Sequence, residues 1–553
     1  MTNSVQTGME NKRGRMVAII AMFFLFAMIA FVTNLAAPIG TIWGNTFQGS
    51  SFLGMLGNMM NFLAYLLMGI PAGKLLMKIG YKKTVLLAIA IGLIGIFVQW
   101  LSGIVGGEAS IAKNSVTVME NIDGKEYEVA RTFNVTVSFI VYLIGAFVGG
   151  FCVCMLNTAV NPMLNLLGGG GKKGNQLLQT GGSLNSLAAT ITPYLVGALI
   201  GQLTRKTAMS DVAPLLWIAM GVFVLAFIGI FFVSIPEPKQ ESSTSESKSD
   251  AKGKKKSALN YRHCLLGVIA IFFYVGIEVG IPSTLNFYLS DQKASGAGVL
   301  GEASAIAGAI VAVYWLLMLV GRMFSGVISG KVSTRAQLVA VTSVALVLIF
   351  AAIMVPKESR IGVPSFLYDA QESVTSTLRD ANMPENEIQE FLKNPDAEKL
   401  KNSQYVTATP IETKNEGKVV RYEINNSEKQ PHELVEAAQS QSSIPMSALL
   451  LILCGLCTSV MWGGIFNLSV DGLGKYTAQA SGFFMTMVVG GGILPQLQQL
   501  IVKSHGYMES YWLIFAAMAY IFIYAIWGSI NKAVNNVKEV KTTQGDLMEE
   551  TLV

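Results

Sequence analysis

The sequence predicts an all-α integral membrane protein: twelve transmembrane helices in two pseudo-symmetric six-helix halves, with small β-hairpin insertions outside the membrane. Three observations carry this expectation. Of 553 residues, 52% are hydrophobic and 14% are charged, where a soluble chain carries nearer ~25% charged residues; mean hydropathy is +0.49. Twelve segments reach the ~20 apolar residues that cross a bilayer, at roughly 16–42, 52–73, 84–105, 137–165, 178–201, 212–235, 264–289, 304–329, 336–355, 446–470, 479–502 and 510–530. One polar pattern also occurs twice, with Asn34 four residues before Pro38 in the first segment and Glu278 four residues before Pro282 in the seventh. A polar group deep in an apolar helix costs insertion energy, and proline removes a backbone hydrogen bond. Such positions persist where a helix lines a water-filled cavity, and their recurrence in two halves implies a repeat-built transporter.

The first segment follows Lys12, Arg13 and Arg15 and has the charge of a signal peptide. It is too long for that role and eleven segments follow, so it is expected to stay uncleaved. Basic residues then set the orientation. Lys74, Lys78, Lys82, Lys83, Lys172, Lys173, Lys331, Arg335, Lys532 and Lys538 fall on the side of the N-terminus, as does the central linker with Lys252, Lys254, Lys255, Lys256 and Arg262. The opposite short loops carry only Arg205, Lys206, Lys293 and Lys503. Both termini and the linker are therefore expected in the cytoplasm. The domain reading is a first half at 1–235, a polar low-complexity linker at 236–262, a second half at 263–531 and a cytoplasmic tail at 532–553. The linker lysines have two readings, a topology signal or a lipid-headgroup contact, and a net charge of +5 calls for no nucleic acid.

Outer insertions fall in corresponding loops, at about 106–136 and about 356–445. Each holds a hairpin signal: two β-rich runs around Asp123-Gly124, and two around Asn415 to Gly417. An isolated hairpin is marginal in water, so the two are expected to meet as one small sheet capping the cavity entrance. Segments near 365–380 and 384–393 read as helices, with Pro384 in a first-turn position. Further repeat matches are Gly73, Lys78 and Lys82 against Gly326, Lys331 and Arg335, and Asn157/Asn161 against Asn467/Asp471.

Two motifs carry little. Cys152, Cys154 and Cys264 read as small apolar residues, and Cys454 and Cys457 form C-x-x-C inside a span with no further ligands, so no metal or cofactor is implied. The glycine run at 168–174 lacks phosphate-loop spacing, which argues against an ATP-driven pump.

Glu278 is the only carboxylate well inside a span; Glu302 and Asp471 lie near ends. A cavity glutamate can load and release a proton as access alternates, while a neutral carboxyl hydrogen-bonded between helices is the structural alternative. Tyr274 lies one turn earlier on the same face. Asn286 sits toward that face's edge, and Gly276, Gly280 and Pro282 permit a bend that brings it closer. Asn34, Asn157, Asn161, Asn286 and Asn467 each offer donor and acceptor without charge, which suits polyhydroxyl ligands; hydrogen bonding between helices competes equally. The candidate substrate-binding set is thus Asn34, Asn157, Asn161, Tyr274, Glu278, Asn286 and Asn467, with Glu278 also the candidate for ion coupling. Trp315 and Trp462 read as packing residues before sugar platforms. Lys78, Lys82, Arg322, Lys331 and Arg335 are candidates for a cytoplasmic gate, Arg322 being placed near the inner end of span eight.

The stretches LNTAVNP at 156–162, YVGIEVGIPSTLNFYL at 274–289, LVGRMFSG at 319–326 and FNLSVDGLGKYTAQASGFFMTMVVGGGILP at 466–495 resemble the fucose:proton symporter family of the major facilitator superfamily. The run at 274–279 is most similar to its bacterial glucose/galactose branch. The resemblance covers nearly all twelve spans but not the outer insertions. It implies hexose uptake across the bacterial inner membrane, energised by an ion gradient. It departs at Ala37 and Asn157, where the fucose branch carries the carboxylates tied to coupling and binding. Coupling through Glu278, coupling to sodium through neutral groups, and facilitated diffusion all stay open.

The expectation is therefore a monomeric secondary transporter, not an enzyme, importing a neutral sugar through the lipid bilayer by alternating access, with a proton or sodium ion as the coupling ion. An exporter of amphipathic compounds and a non-transporting membrane sensor are the rival readings.

Overall fold

The computed structural model describes residues 12–47, 51–105, 109–200, 207–233, 235, 257–290, 296–297, 303–364, 369–414, 416–427, 429–439 and 442–531. The linker lysines at 252–256, the tail with Lys532 and Lys538, Arg205, Lys206, Lys293, Glu302 and Asn415 lie outside the described residues.

The first half runs α1 (Lys12–Thr46), α2 (Ser51–Ile79), α3 (Tyr81–Ser102), α4 (Val137–Leu167), α5 (Gly171–Ile200) and α6 (Ala213–Phe232). The second runs α7 (Arg262–Ser290), α8 (Ala303–Ile328) and α9 (Thr334–Met354), then four short helices outside the bundle: α10 (Ala370–Asp380), α11 (Glu385–Lys393), α12 (Ala397–Lys401) and α13 (Pro431–Gln439). It closes with α14 (Met446–Thr458), α15 (Met461–Ser469), α16 (Thr477–Met487), α17 (Gly490–His505) and α18 (Tyr507–Ile523).

Every predicted span coincides with helix, but two are not continuous. The tenth breaks between α14 and α15 at Ser459 and Val460, and the eleventh between α16 and α17 at Val488 and Val489, just before the glycines at 490–492. Among the described residues eleven helices are long and apolar enough to cross a membrane. The predicted fifth span, α5, is not among these eleven. Gln179, Ser183, Ser186 and Thr190 place a polar stripe along it at helical spacing.

Contacts between helix ends establish which ends lie together. The Arg15 guanidinium at the start of α1 bonds the Leu167 carbonyl at the end of α4. Lys82 Nζ at the start of α3 donates to the Phe231 carbonyl of α6 at 2.8 Å. His263 Nε2 at the start of α7 bonds the Asp471 carbonyl at 2.9 Å. Arg335 at the start of α9 donates twice to Ser529, beyond α18, at 3.1 Å each. The chain start, both helices flanking the linker and the last helix thus share one end of the bundle, called here the terminal end.

Within the first half α4 packs on α2 and α3 and α1 on α5; within the second α7 packs on α17 and α14 on α8 and α9. Between the halves α2 lies against α16 and α5 against α8. One apolar core runs through both halves.

At the opposite end β1 (Ser110–Ile122) and β2 (Lys125–Thr136) pair around Asp123 and Gly124. Both turn residues have positive φ, 54° and 82°, as a two-residue type I′ hairpin demands. A three-residue strand, β3 (Arg360–Gly362), opens the second insertion. The second hairpin joins β4 (Val406–Thr413) to β5 (Gly417–Ile424). As expected, the hairpins meet, in a four-stranded sheet of order β1-β2-β4-β5. A short β6 (Ser443–Pro445) pairs with β3 at the neck of the second insertion. That insertion has its own small core of Val374, Leu378, Ile388, Leu400, Ile424 and Leu434. Helices α10 and α11 fall within the predicted segments, while Pro384 caps α11 from outside instead of sitting in its first turn.

Candidate functional site

Glu278 lies mid-way along α7, one turn before Pro282. Proline has no N–H, so the Glu278 carbonyl loses its intrahelical donor, as the Asn34 carbonyl does before Pro38 in α1. The Glu278 carboxylate does not stand alone. Arg322 Nη2 of α8 donates to its Oε1 at 3.2 Å, with the Arg322 side chain 9% and the Glu278 side chain 18% exposed. Sequence reasoning placed Arg322 toward the end of span eight as a topology or gate residue; it lies in the last two turns of α8, and its guanidinium reaches the carboxylate of α7. A buried ion pair persists where further hydrogen bonds satisfy it. Arg322 has them: Nη1 donates to Gly182 O at 3.0 Å and Ser186 Oγ at 2.8 Å, and Nε to Ser459 O at 3.4 Å. Gly182 and Ser186 belong to α5, in the other half. A Cβ on Gly182 would stand 3.2 Å from Arg322 Cδ, so glycine makes the room for this approach.

Two tyrosines complete the surroundings. Tyr274 is fully buried beside Glu278, its hydroxyl without a well-formed hydrogen bond among the described residues. Tyr314 shares a 3.0 Å hydrogen bond with Thr458 Oγ1. The Tyr274 ring lies 6.1 Å from that of Trp462 on α15. Trp462 Nε1 donates to Asn161 Oδ1 at 2.9 Å, Asn161 Nδ2 to Asn157 O at 2.8 Å, and Asn157 Nδ2 to Tyr65 Oη at 2.8 Å. A hydrogen-bonded chain therefore crosses the bundle from α15 through α4 to α2.

Asn467 extends the same junction toward the terminal end, donating to Asn165 Oδ1 at 3.2 Å and Gly171 O at 3.1 Å. Gln179 Nε2 donates to Val460 O at 3.0 Å, Asn175 Nδ2 to Ser329 Oγ at 2.9 Å, and Ser481 Oγ to Thr158 O at 2.9 Å. Backbones touch where α2 crosses α16: a Cβ on Gly482 would fall 2.8 Å from Gly69 O and 3.0 Å from Gly73 Cα. This neutral, glycine-fitted seam holds the two halves together at the terminal end. Elsewhere the hydrogen bonds between halves among the described residues lie between the outer insertions, with one 4.0 Å contact from Gln496 Nε2 to the Met59 sulfur.

The structure thus brings together Glu278, Tyr274 and Arg322, and separately ties Asn157, Asn161 and Asn467 into contacts between helices. Asn34 and Asn286 join neither group by a hydrogen bond among the described residues. Asn34 Nδ2 bonds its own helix at Ala30 O, 2.8 Å away, leaving Oδ1 free of a protein donor among the described residues; half-buried Asn286 makes no side-chain hydrogen bond there. Of the gate candidates, Lys78 is exposed, and among the described residues Lys82 and Arg335 bond Phe231 O and Ser529 of their own halves. The Lys331 carbonyl accepts from Lys172 Nζ at 2.9 Å. Sequence reasoning missed Gly182, Ser186, Gln179 and Asn165; the polar stripe of α5 was the signal that could have found the first three.

Comparison with known proteins places these features. The sequence model of the Major Facilitator Superfamily matches residues 18–363. The chain is 24% identical over 532 residues to a protein of Brucella abortus biovar 1 (strain 9-941) named glucose/galactose transporter, covering 95% of this chain and 98% of that protein. Its fold is similar to that of the Major Facilitator Superfamily transporter FucP in the outward conformation, at 17% identity and a TM-score of 0.60 over 94% of this chain and all of FucP. It is similar, too, to a bacterial homologue of the iron transporter ferroportin in its outward-facing state, at 12% identity and a TM-score of 0.53 over 92% of this chain and 99% of that one.

Proposed function

The chain belongs to the Major Facilitator Superfamily, and from that premise we propose that it imports a neutral hexose-sized sugar by alternating access, coupled to a cation carried at Glu278. The single observation that carries this reading is the buried Glu278–Arg322 pair at the junction of the two halves, one turn before a proline inside α7. A midplane site between repeats, where broken helices expose backbone carbonyls, is where such transporters bind substrate and ion. The name of the Brucella relative, aligned over almost its whole length, supports the sugar.

In this reading Asn34 and Asn286 supply neutral donors and acceptors to sugar hydroxyls, and Tyr274 and Glu278 stand beneath them. Asn157, Asn161 and Asn467 act when the seam closes. The basic terminal end faces the cytoplasm of a bacterial inner membrane, so the closed seam makes this an outward-facing state. Lys78, Lys82, Lys331 and Arg335 then flank the gate and brace its helices.

The experiment is uptake of radiolabelled hexoses into proteoliposomes under imposed proton and sodium gradients, for wild type and Glu278→Gln. Wild type is expected to accumulate a sugar above equilibrium under one gradient, and Glu278→Gln only to equilibrate it. Equilibration by both, indifferent to either gradient, would remove the coupling role from Glu278. No uptake of any hexose by folded protein would move the assignment to an exporter of amphipathic compounds.

A further inference from the structure

We propose that Arg322 is the positioning residue through which the charge of Glu278 controls the seam between the two halves. The inference rests on the reading of Glu278 as the cation-carrying group. Among the described residues Arg322 is the one buried charged side chain that bonds both halves within the bundle. It holds Glu278 on its own side, and Gly182 O and Ser186 Oγ on the other. The ionisable groups around Glu278 are Arg322, Tyr274 and Tyr314, and no second carboxylate bonds Arg322 among the described residues.

The consequence follows from charge balance. A guanidinium keeps its proton throughout physiological pH. When a proton or sodium ion neutralises Glu278, Arg322 stays charged, with only two carbonyls and one hydroxyl as partners. A buried charge stripped of its counterion is strongly unfavourable, and opening the α5–α8 seam relieves it by admitting water. Cation loading therefore weakens the closed seam, whereas an empty, ionised Glu278 keeps Arg322 engaged on α5. Ser186 marks the mechanical end of this link, because it bonds Arg322 without sharing the Glu278 charge.

The test reads coupling and seam opening separately. A cysteine at Ser329, a buried seam residue bonded to Asn175, is introduced into protein whose five native cysteines are replaced, and its labelling by a membrane-impermeant maleimide from the terminal side is timed. Both Glu278→Gln and Arg322→Gln are expected to raise the labelling rate about fivefold or more and to abolish accumulation. The pair Glu278→Gln/Arg322→Gln is expected to do no more than either alone. Ser186→Ala is expected to raise labelling while keeping gradient-driven accumulation, and Arg322→Lys to restore part of the accumulation lost in Arg322→Gln. Accumulation by Arg322→Gln at the wild-type level would overturn the inference and leave the sugar assignment standing. Should Arg322→Gln not be recovered as folded protein, unchanged labelling in Ser186→Ala would overturn it instead. Wild type that accumulates no sugar under either gradient would sink the functional reading itself, before any variant is compared.

Discussion

The two halves of this protein are joined in two places by opposite means. The seam inside the bundle is built from neutral amides, hydroxyls and touching glycine backbones around one ion pair, nearly all of it buried. The seam outside is a sheet joined at a single residue pair, Val129 with Thr413, backed by the Lys414 N to Glu128 O bond at 2.9 Å, by Gln430 bonding Asn121 O and Asp123 N, and by the Lys401–Asp123 ion pair. The inner junction suits a contact that must open and reseal. Each amide exchanges a protein partner for water at little net cost, yet burial penalises any partner left over. The outer junction suits a tether, whose ion pair to the exposed Asp123 contributes ~0–1 kcal/mol. Substitutions should therefore hurt most in the inner seam, where packing and polar satisfaction act together.

The largest effect is expected where backbones touch. Gly482→Val adds bulk against Gly69 O and Gly73 Cα, both backbone atoms that cannot turn aside. Overpacking of this kind costs about 1–3 kcal/mol, here charged to the closed state alone. Sugar exchange in proteoliposomes should fall, and labelling at Ser329→Cys should rise by about 5- to 150-fold. An unchanged rate in both would mean that the α2–α16 contact is not part of the moving seam.

Asn161→Ala comes next. It strands the Trp462 indole N–H, which donates to Asn161 Oδ1 at 2.9 Å, in a half-buried site. Leaving such a donor unmet costs about 1–3 kcal/mol, whereas Trp462→Phe removes the donor and leaves Asn161 its bond to Asn157 O. The seam should loosen more in Asn161→Ala than in Trp462→Phe, read by the same labelling. Equal loosening in both would make Asn161 a packing residue.

How legible all this was follows from which interactions are local. The helices were readable because apolar length is a property of a continuous run, and even α5 emerged despite its polar stripe. The Asp123-Gly124 turn was readable because its two positive φ angles require those residue types. Glu278 could be singled out because a lone carboxylate among apolar residues is visible in one dimension. Its partner was not, since Arg322 lies 44 positions away and sits beside Gly321 in a run that reads equally well as a helix end. The asparagines were visible as polar groups, but whether an amide faces a cavity or another helix depends on neighbours such as Tyr65 and Asn165 that no spacing links to them. The breaks at Ser459–Val460 and Val488–Val489 had no proline to announce them.

The smallest effect is expected at the outer seam, and it bears on what the sheet is for. Lys401 there bonds Asp123 of the other half at 2.6 Å and Glu398 at 2.8 Å. Burial works to lower its pKa, but the two carboxylates outweigh it and hold the ammonium above its ordinary range. With a raised folded value, its contribution is complete below about pH 10.4 and fades only above that, so the tether is insensitive to physiological acidification. The sheet is joined in a state whose terminal end is closed, where rocking about the midplane holds the outer ends furthest apart. Closing the outer end brings the halves nearer, so nothing requires the β2–β4 bridge to break during turnover. Directly opposed strand residues stand about 4.5–5.5 Å apart, within the ~4.4–6.8 Å reach of a disulfide. The pair Val129→Cys/Thr413→Cys, oxidised, should therefore exchange sugar at the wild-type rate and regain nothing on reduction. Arrest on oxidation, reversed by a thiol, would show instead that the sheet parts in each cycle and serves as an outer gate, making the two seams alternating counterparts.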